Sequence, residues 1–294
     1  MFEGFQTATI AGDGADIFVR SAGSGPPLLL VHGYPQTGAM WARIAPRLAE
    51  RFSVVVPDLR GYGRSSAPPN TPDNFAYSKR VMGRDLAAVM QALGHARFDV
   101  AGHDRGARVA YRMALDMPER IDRLAVLDIL PVAEVWERMD AGAAMAVYHW
   151  LFFAQPAPIP ETLIGADPVM FLDHTIASWT GTKTLAAFDP AALDEYRRAF
   201  ARPATIAATC DDYRAGATID WQLDRKDREA GHRIAAPTLA LWGSAGIASE
   251  GHDPQAVWQP WCDRLEGHAI DAGHFIVEEA PKATLEALLA FFSA

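Results

Sequence analysis

The strongest fold signal in this chain is the segment Phe98-Asp99-Val100-Ala101-Gly102-His103-Asp104-Arg105-Gly106. Its first four residues predict a short buried strand, and residues 107–117 follow with helical spacing. Gly102 and Gly106 permit a strand-to-helix turn so tight that a Cβ at either position would clash. Asp104 would then stand at the carboxyl end of the strand, beside a helix N-terminus whose dipole favours an anion. The segment therefore predicts a sharp turn that presents Asp104 as a nucleophile.

Strand and helix patterns alternate on both sides of this turn. Apolar runs at 27–31, 53–56 and 124–129 predict strands buried on both faces, and helical spacing at 40–51 and 77–93 separates them. Further elements are predicted as a hairpin over 5–10 and 16–21, strands at 238–242 and 268–271, and a closing helix at 282–292. Such alternation implies a mostly parallel sheet flanked by helices.

The alternation stops at Pro131. From there to about Ile234 the pattern is mostly helical, prolines punctuate it, and no buried strand is predicted. A structureless loop of roughly 100 residues is improbable in a compact domain. We therefore expect a helical cap domain, residues 131–233, inserted after the sixth strand of a core domain formed by residues 1–130 and 234–294.

Composition and charge limit the classes of function. The 294 residues are 50% hydrophobic and 21% charged, which is globular composition and enough chain to bury a core without disulfides or metals. The net charge of −9 argues against nucleic acid or an anionic membrane as partner. Cys210 and Cys262 provide neither a disulfide framework nor a zinc motif. Without a signal-peptide pattern or a membrane-length apolar run, we expect a cytoplasmic protein with no cofactor or metal.

An aspartate at the nucleophile position selects the reaction. A carboxylate is already ionised at neutral pH, and its attack on an acyl carbon would give an unproductive anhydride. Its attack on a tetrahedral carbon gives an ester that water can hydrolyse. Asp104 therefore indicates displacement at a carbon–halogen bond or at an epoxide, and the alternative is an ordinary helix-capping aspartate.

Hydrolysis of that ester needs a base, and His274 follows the last predicted strand in Asp271-Ala272-Gly273-His274. A carboxylate must orient the histidine and stabilise its imidazolium. The usual position, after the penultimate strand, reads Trp242-Gly243-Ser244-Ala245-Gly246-Ile247 and holds no acid. Asp128 ends the preceding strand, where a stray carboxylate would be unfavourable, so we assign it this role. The alternative for Asp128 is a capping or loop aspartate.

Two further groups of residues bear on binding. His32-Gly33-Tyr34-Pro35 follows the first buried strand, and the backbone N–H groups of Tyr34 and Arg105 would form an oxyanion hole. Arg105 follows the nucleophile directly and Arg108 lies one helical turn from Asp104. Two guanidinium groups there would bind an anionic substrate such as an α-halocarboxylate. The alternative is that both arginines form structural ion pairs.

Taken together, these motifs resemble the α/β-hydrolase superfamily over nearly the whole chain. The loop Asp58-Leu59-Arg60-Gly61-Tyr62-Gly63-Arg64-Ser65-Ser66 is similar to that of its haloalkane dehalogenase and epoxide hydrolase branch. A closer resemblance, to fluoroacetate (haloacetate) dehalogenases, rests on Gly102-His103-Asp104-Arg105-Gly106-Ala107-Arg108, Tyr148-His149-Trp150 and Cys210-Asp211-Asp212-Tyr213-Arg214-Ala215-Gly216. It implies an α/β-hydrolase fold, a haloacetate substrate with fluoroacetate the foremost expectation, no cofactor, and a homodimer.

The resemblance also assigns residues of the insertion. It implies that His149, Trp150 and Tyr213 hold the departing halide, and each of these rings can donate a hydrogen bond. Taken singly, each would be read as a packing residue. Trp179 is a weaker candidate, for the wall of the substrate pocket.

Two rival functions remain at this stage. An epoxide hydrolase would share the nucleophile, base and cap, and Tyr148, Tyr196 or Tyr213 could protonate the oxirane oxygen. Arg105 and Arg108 argue against it, because an epoxide is neutral. A chloroacetate-preferring enzyme is a variant of the main expectation. A non-catalytic receptor on the same fold would not need the Asp–His–Asp set.

Overall fold

An eight-stranded sheet forms the centre of the computed structural model, which describes residues 1–294. The strands are β1 (Gln6–Ala11), β2 (Asp16–Ala22), β3 (Pro27–Val31), β4 (Ser53–Pro57), β5 (Phe98–His103), β6 (Ile121–Leu127), β7 (Thr238–Gly243) and β8 (Leu265–Ile270). Their order in the sheet is β1-β2-β4-β3-β5-β6-β7-β8. The pairs β1–β2 and β2–β4 are antiparallel and all others are parallel, which confirms the mostly parallel sheet expected from the sequence.

Helices flank this sheet and also fill the gap between β6 and β7. The helices are α1 (Ala45–Leu48), α2 (Lys79–Ala92), α3 (Arg105–Asp116), α4 (Val132–Glu137), α5 (Ala141–Ala146), α6 (Tyr148–Phe153), α7 (Ile159–Ala166), α8 (Pro168–Trp179), α9 (Pro190–Phe200), α10 (Pro203–Ala215), α11 (Trp221–Glu229), α12 (Pro254–Trp258), α13 (Ile276–Glu279) and α14 (Pro281–Phe292). A π-helical turn, Gly216–Asp220, joins α10 to α11. The segment from α4 to α11 is called the helical insertion below. None of the helices is long and apolar enough to span a bilayer.

The central strands are apolar because both of their faces are covered. Every residue of β5 is buried, and Leu28, Leu29, Leu30 and Val31 of β3 are fully buried. Such continuous apolar runs are typical of parallel strands packed between two layers. Parallel strands also direct their carboxyl ends to one edge of the sheet, where ligand sites of open α/β sheets form. The loops after β3, β5, β6 and β8 therefore converge at that edge.

The sequence pattern misplaced two elements. The single helix predicted over 40–51 is wrong: the structure has a 3₁₀ turn, Gly38–Trp41, and then the short helix α1. Pro46 explains the break, because proline lacks an N–H and disfavours helical geometry at the preceding residue, so it starts α1 instead of continuing a longer helix. The strand predicted over 124–129 ends at Leu127. Asp128 consequently lies in the loop after β6, at the sheet edge just described.

Candidate active site

Asp104 sits at the apex of the turn between β5 and α3. Its φ of 48° and ψ of −120° are rare for a residue with a side chain, so the surrounding structure must hold them. A Cβ on Gly102 would lie 2.5 Å from the carbonyl oxygen of Gly106, and a Cβ on Gly106 would lie 2.3 Å from that of His32. The two glycines are therefore required by the close approach of the backbone, as the sequence predicts.

Asp104, His274 and Asp128 come together at the edge of the sheet. The Nδ1 atom of His274 lies 2.6 Å from Oδ2 of Asp128, which is a short hydrogen bond. The Nε2 atom of His274 faces Oδ2 of Asp104 at 3.9 Å, too far for a hydrogen bond, and has no other partner in the protein. The imidazole is thus fixed at one nitrogen and free at the other, which faces the nucleophile expected from the sequence.

The loop after β7 holds no acid, and its role beside Asp128 is a different one. Instead of a carboxylate it supplies backbone donors: the N–H groups of Gly243 and Ile247 donate to Asp128 at 2.9 and 3.2 Å. A Cβ on Gly246 would lie 2.3 Å from Oδ1 of Asp128, so glycine leaves the space this carboxylate occupies. Asp128 itself has a φ of 50°. The carboxylate of Asp128, from the loop after β6, therefore occupies the space beside the loop after β7.

The charges of Asp104 and His274 depend on each other. Burial raises the pKa of Asp104, but the neighbouring His274, His103 and arginines outweigh it and hold that pKa below its usual value. Burial lowers the pKa of His274, but its hydrogen bond to Asp128 and the charges of Asp128 and Asp104 leave that pKa above its usual value. Asp104 is therefore ionised at neutral pH, and its charge supports an imidazolium at His274.

The loop after β3 brings one backbone donor to the nucleophile. The N–H of Tyr34 donates to Oδ1 of Asp104 at 2.8 Å. A Cβ on Gly33 would lie 2.4 Å from Cβ of Asp104, so this loop can approach only because residue 33 is glycine. The second donor of the expected oxyanion hole, the N–H of Arg105, forms no hydrogen bond with this carboxylate in the structure.

The two arginines differ from each other. Arg105 is fully buried and forms the structural ion pair that was the alternative: its Nε and Nη2 donate to the carboxylate of Asp212 at 3.0 and 2.7 Å. Only its Nη1 lacks a partner. Arg108 donates from Nη1 to the carbonyl of Leu130 at 2.8 Å, and its Nε is unpartnered. Each guanidinium therefore keeps at least one free N–H.

The three rings expected to bind halide lie close together. The ring of Tyr213 is 5.6 Å from that of His149 and 6.1 Å from that of Trp150, measured between centroids. The Oη of Tyr213 and the Nδ1 of His149 are buried without a hydrogen-bond partner. Burial lowers the pKa of His149 to about 3, so the imidazole is neutral at neutral pH. Unsatisfied buried polar atoms are rare, and these mark a place for a polar ligand.

A cavity of about 310 Å³ joins most of these groups. Its lining includes Asp104, Asp128, His274, Arg108, His149, Trp150 and Trp179, together with apolar residues of the loop after β6, of α5 and of the loop after β7. Arg105 and Tyr213 do not line it. The cavity therefore connects the Asp–His–Asp set with one arginine and with two of the three expected halide donors.

Sequence reasoning undervalued three residues. The ring centroid of Trp179 lies 4.5 Å from that of His149. The backbone carbonyl of Trp179 accepts a hydrogen bond from the backbone N–H of His274 at 2.9 Å. The ring of Tyr34 packs among those of Trp179 and Tyr213, at 5.9 and 5.7 Å. His103 bonds through Nε2 to the carbonyl of His274 at 2.9 Å. His103 and Tyr34 lie within motifs quoted above, which was the available signal.

The three tyrosines that could protonate an oxirane oxygen in an epoxide hydrolase lie in different environments. Tyr196 donates from Oη to Glu278 at 3.0 Å and is fully buried. Tyr148 is exposed on the surface of the insertion. Tyr213 alone stands among the rings near Asp104. Only one of the three tyrosines therefore has a free hydroxyl inside the site.

Comparison with known proteins places this arrangement in a family. Residues 26–281 match the alpha/beta hydrolase fold family. The chain is 44% identical to a fluoroacetate dehalogenase from Burkholderia sp, over 100% of this chain and 95% of that protein. It is 30% identical to a soluble epoxide hydrolase from Corynebacterium sp (strain C12), over 93% of this chain and 92% of that one. A crystal structure from Nostoc sp PCC 7120, provisionally described as an alpha/beta hydrolase, superposes with a TM-score of 0.97 at 47% identity, over 100% of this chain and 99% of that one.

These matches agree with the architecture. The eight-stranded, mostly parallel sheet and the turn at Asp104 are those of an α/β-hydrolase fold, so the fold class expected from the sequence is confirmed. The similarity runs through the helical insertion, because the relatives cover nearly the full chain. This chain belongs to the α/β-hydrolase fold family.

Proposed function

We propose that this protein is a hydrolase acting on carbon–halogen bonds, which converts small 2-haloacids, foremost fluoroacetate, to glycolate and halide. The observation that carries the proposal is the pair of guanidinium groups that help to hold the pKa of buried Asp104 below its usual value. Arg108 lines the cavity and has an unpartnered Nε, and Arg105, which lies outside the cavity lining, keeps an unpartnered Nη1. Such a site suits a substrate with an anionic end beside an electrophilic carbon. The full-length similarity to a fluoroacetate dehalogenase supports the same substrate class.

The first half-reaction is a displacement. Arg105 and Arg108 bind the substrate carboxylate, and a carboxylate oxygen of Asp104 attacks the α-carbon. The new carbon–oxygen bond forms as the carbon–halogen bond breaks, and the halide takes the bonding pair. His149, Trp150 and Tyr213 donate hydrogen bonds to the departing ion. These bonds strengthen as negative charge builds on the halogen, which is the condition for catalysis by binding.

The second half-reaction hydrolyses the ester. Neutral His274 takes a proton from water, and the hydroxide adds to the carbonyl carbon of Asp104. Asp128 stabilises the imidazolium. The N–H of Tyr34, which holds Oδ1 of Asp104, and that of Arg105 stabilise the tetrahedral oxyanion. The intermediate collapses to a carboxylic acid at Asp104 and an alkoxide, which takes the proton of the imidazolium and leaves as glycolate. The Asp104 carboxylic acid then loses its own proton to neutral His274, which passes it to solvent, and this restores the carboxylate. No step calls for a cofactor or metal.

Several parts of the sequence-based reading stay predictions. We propose residues 131–233 as a cap domain over a core of residues 1–130 and 234–294, since every helix from α4 to α11 lies between β6 and β7. We also propose a homodimer: apart from Met1, all exposed large apolar side chains lie between Met145 and Met170, a surface that association could cover. The cytoplasmic location, and the absence of nucleic-acid or membrane partners, stay predictions as well.

The substrate class is tested with two compounds that differ in charge. Chloroacetate should release chloride rapidly, whereas chloroacetamide should be a poor substrate because it offers no anion to the arginines. Arg108→Leu should raise KM for chloroacetate by roughly 10- to 100-fold, the value of one or two charge-assisted hydrogen bonds. Ion chromatography of the released halide measures both effects. Arg198→Leu removes an exposed arginine of α9 and is the matched control. Equal turnover of the amide and the acid would refute the binding of the substrate carboxylate by Arg105 and Arg108.

The state of His274 gives a pH dependence with a defined sign. In the free protein the hydrogen bond to Asp128 and the charges of Asp128 and Asp104 outweigh burial and hold the pKa of His274 above its usual value. Alkylation removes the charge of Asp104 and so lowers the pKa of His274 at the step where the base is needed. Displacement requires only ionised Asp104, whose pKa is lowered, but hydrolysis requires neutral His274. At about pH 5.5 we therefore expect a burst of halide that exceeds glycolate and a slow steady state, measured by rapid quench. Equal amounts of halide and glycolate at every pH would contradict this order of steps.

An epoxide hydrolase is the second candidate, and one observation favours it. The buried Oη of Tyr213 has no partner and could donate a proton to an oxirane oxygen. A soluble epoxide hydrolase is among the full-length relatives. Diol formation from a neutral epoxide, measured beside halide release, separates the two functions. Diol formation without halide release would replace the proposal.

A further inference from the structure

Four charged side chains form a buried cluster behind Arg105, which we call the charge cluster. Its members are Arg105 and Lys79 of the sheet-forming part and Asp212 and Asp220 of the insertion, and none is more than 3% exposed. Lys79 is the first residue of α2, Asp212 lies in α10, and Asp220 ends the π-helical turn. The charge cluster thus joins the two parts of the protein at Arg105, one of the two arginines proposed to bind the substrate carboxylate.

Asp212 is the hub of the charge cluster. One of its carboxylate oxygens accepts from Arg105 Nε at 3.0 Å and from Tyr62 Oη at 2.8 Å. The other accepts from Arg105 Nη2 at 2.7 Å and from Lys79 Nζ. Lys79 Nζ also lies 3.2 Å from Asp220, which accepts the backbone N–H of Lys79 at 2.8 Å. Every member is therefore connected to Arg105 through Asp212.

These contacts fix the direction of the Arg105 guanidinium. Its Nε and Nη2 are engaged, and Nη2 also donates to the carbonyl of Asp212 at 2.8 Å. The Tyr213 ring supports the guanidinium at 4.1 Å, and a Cβ on Gly216 would lie 3.2 Å from Nη2. Nη1 alone remains without a partner. Asp212 thus determines which N–H of Arg105 is left for an anion.

The charge cluster contains two positive and two negative groups. If Asp212 faced Arg105 alone, the pair would be neutral; Asp220 adds one negative charge and Lys79 cancels it. All four groups are buried, so solvent and salt screen their fields only weakly. The sign and size of the net charge here therefore act directly on any anion held by Nη1.

We propose that Lys79 and Asp220 are positioning residues that set, through Asp212 and Arg105, the affinity of the site for an anionic substrate. Neither touches the substrate. The positive charge of Lys79 offsets the negative charge of Asp220, which would otherwise weaken the attraction of an anion to Arg105. The negative charge of Asp220 in turn keeps that attraction weaker than Lys79 alone would make it. The inference rests on the proposed function for the identity of the anion, but its electrostatic content concerns any small carboxylate.

A charge cycle tests this role. Lys79→Gln removes a positive charge, and we expect KM for chloroacetate and the Kd for acetate, an unreactive analogue, to rise on the order of tenfold. Asp220→Asn removes a negative charge but keeps a side-chain acceptor for the Lys79 N–H. Both constants should then fall by a similar factor. The double variant restores neutrality and should return both constants to within about threefold of the parent.

A merely structural role gives a different pattern. It predicts that both single variants weaken acetate binding and that their effects add in the double variant. Arg97→Gln is the matched control, because it removes an exposed arginine next to the amino end of β5, at the opposite edge of the sheet. Melting temperatures monitor folding; if Lys79→Gln does not fold, Asp220→Asn decides alone. Shifts of the same sign, or an unchanged or raised acetate Kd in Asp220→Asn, overturn the proposal.

Failure of this proposal and failure of the proposed function are distinguishable. Calorimetric titration with acetate needs no turnover, so the cycle can be completed even if the parent releases no halide from haloacetates. Absence of halide release would refute the dehalogenase assignment and leave the acetate series to decide the role of the charge cluster. Normal halide release with shifts of one sign would refute only the charge cluster.

Discussion

Replacing His274 by Asn should leave displacement intact and stop hydrolysis, so that an ester accumulates on Asp104. Asn keeps a polar side chain at this position but cannot take a proton from water. The nucleophile itself needs no base, because nearby cationic groups outweigh the effect of burial on the pKa of Asp104 and keep the carboxylate ionised. General-base catalysis contributes roughly 10²- to 10⁴-fold, and steady-state turnover should fall by about that factor. Mass spectrometry after incubation with chloroacetate should show a carboxymethyl increment on the peptide that contains Asp104.

The control for the trapped ester is the nucleophile. Asp104→Ala should release no halide and carry no increment, while retaining the fold, because alanine is smaller than the side chain it replaces. Because residue 104 has a positive φ, which side chains rarely adopt, the melting temperatures of Asp104→Ala and Asp104→Asn should be compared to check that both variants fold. In heavy-oxygen water the parent should incorporate label into Asp104, since water attacks the carbonyl of the enzyme ester. Halide release by Asp104→Ala at the parental rate would refute covalent catalysis by this residue.

Much of this site could be predicted because its geometry is set by short stretches of chain. Gly102 and Gly106 permit only one kind of turn at Asp104, and the strands before Asp128 and His274 bring their ends to the same edge. Such relations depend on strand order and local backbone, and the sequence pattern carries both. The structure accordingly brings the three residues together as expected, with His274 Nδ1 2.6 Å from Asp128.

The rest depends on contacts between distant parts of the chain. The sequence places Arg105 directly after Asp104 but does not show that Asp212, 107 positions later, accepts hydrogen bonds from two of its nitrogens. The pattern likewise did not show that Arg105 lies outside the cavity lining while Arg108 is part of it. Tyr34 follows a strand as expected, yet its packing between Trp179 and Tyr213 depends on the docking of the insertion. Local periodicity carries no information on such long-range pairings.

Trp150→Phe should separate fluoride from chloride as the leaving group. Trp150 is buried, lines the cavity, and lies under the Arg108 guanidinium at 4.5 Å; its Nε1 forms no hydrogen bond within the protein. Phenylalanine keeps an aromatic face for Arg108 and removes the N–H. Fluoride is the poorer leaving group, because the carbon–fluorine bond is strong and the small ion is hard to desolvate. Hydrogen bonds to the departing ion should therefore matter more for fluoroacetate than for chloroacetate.

The expected loss is on the order of 10²-fold in kcat with fluoroacetate, the effect of removing one preorganised donor, and only a few-fold with chloroacetate. Trp136→Phe is the matched control. Trp136 packs edge-on against Trp150 at 5.7 Å, but its Nε1 donates to the carbonyl of Gly216 at 3.1 Å and it does not line the cavity. Its replacement should affect both substrates equally. Equal losses on the two substrates in Trp150→Phe would mean that this ring only packs the insertion, and the preference for fluoride would then have to come from His149 and Tyr213 alone.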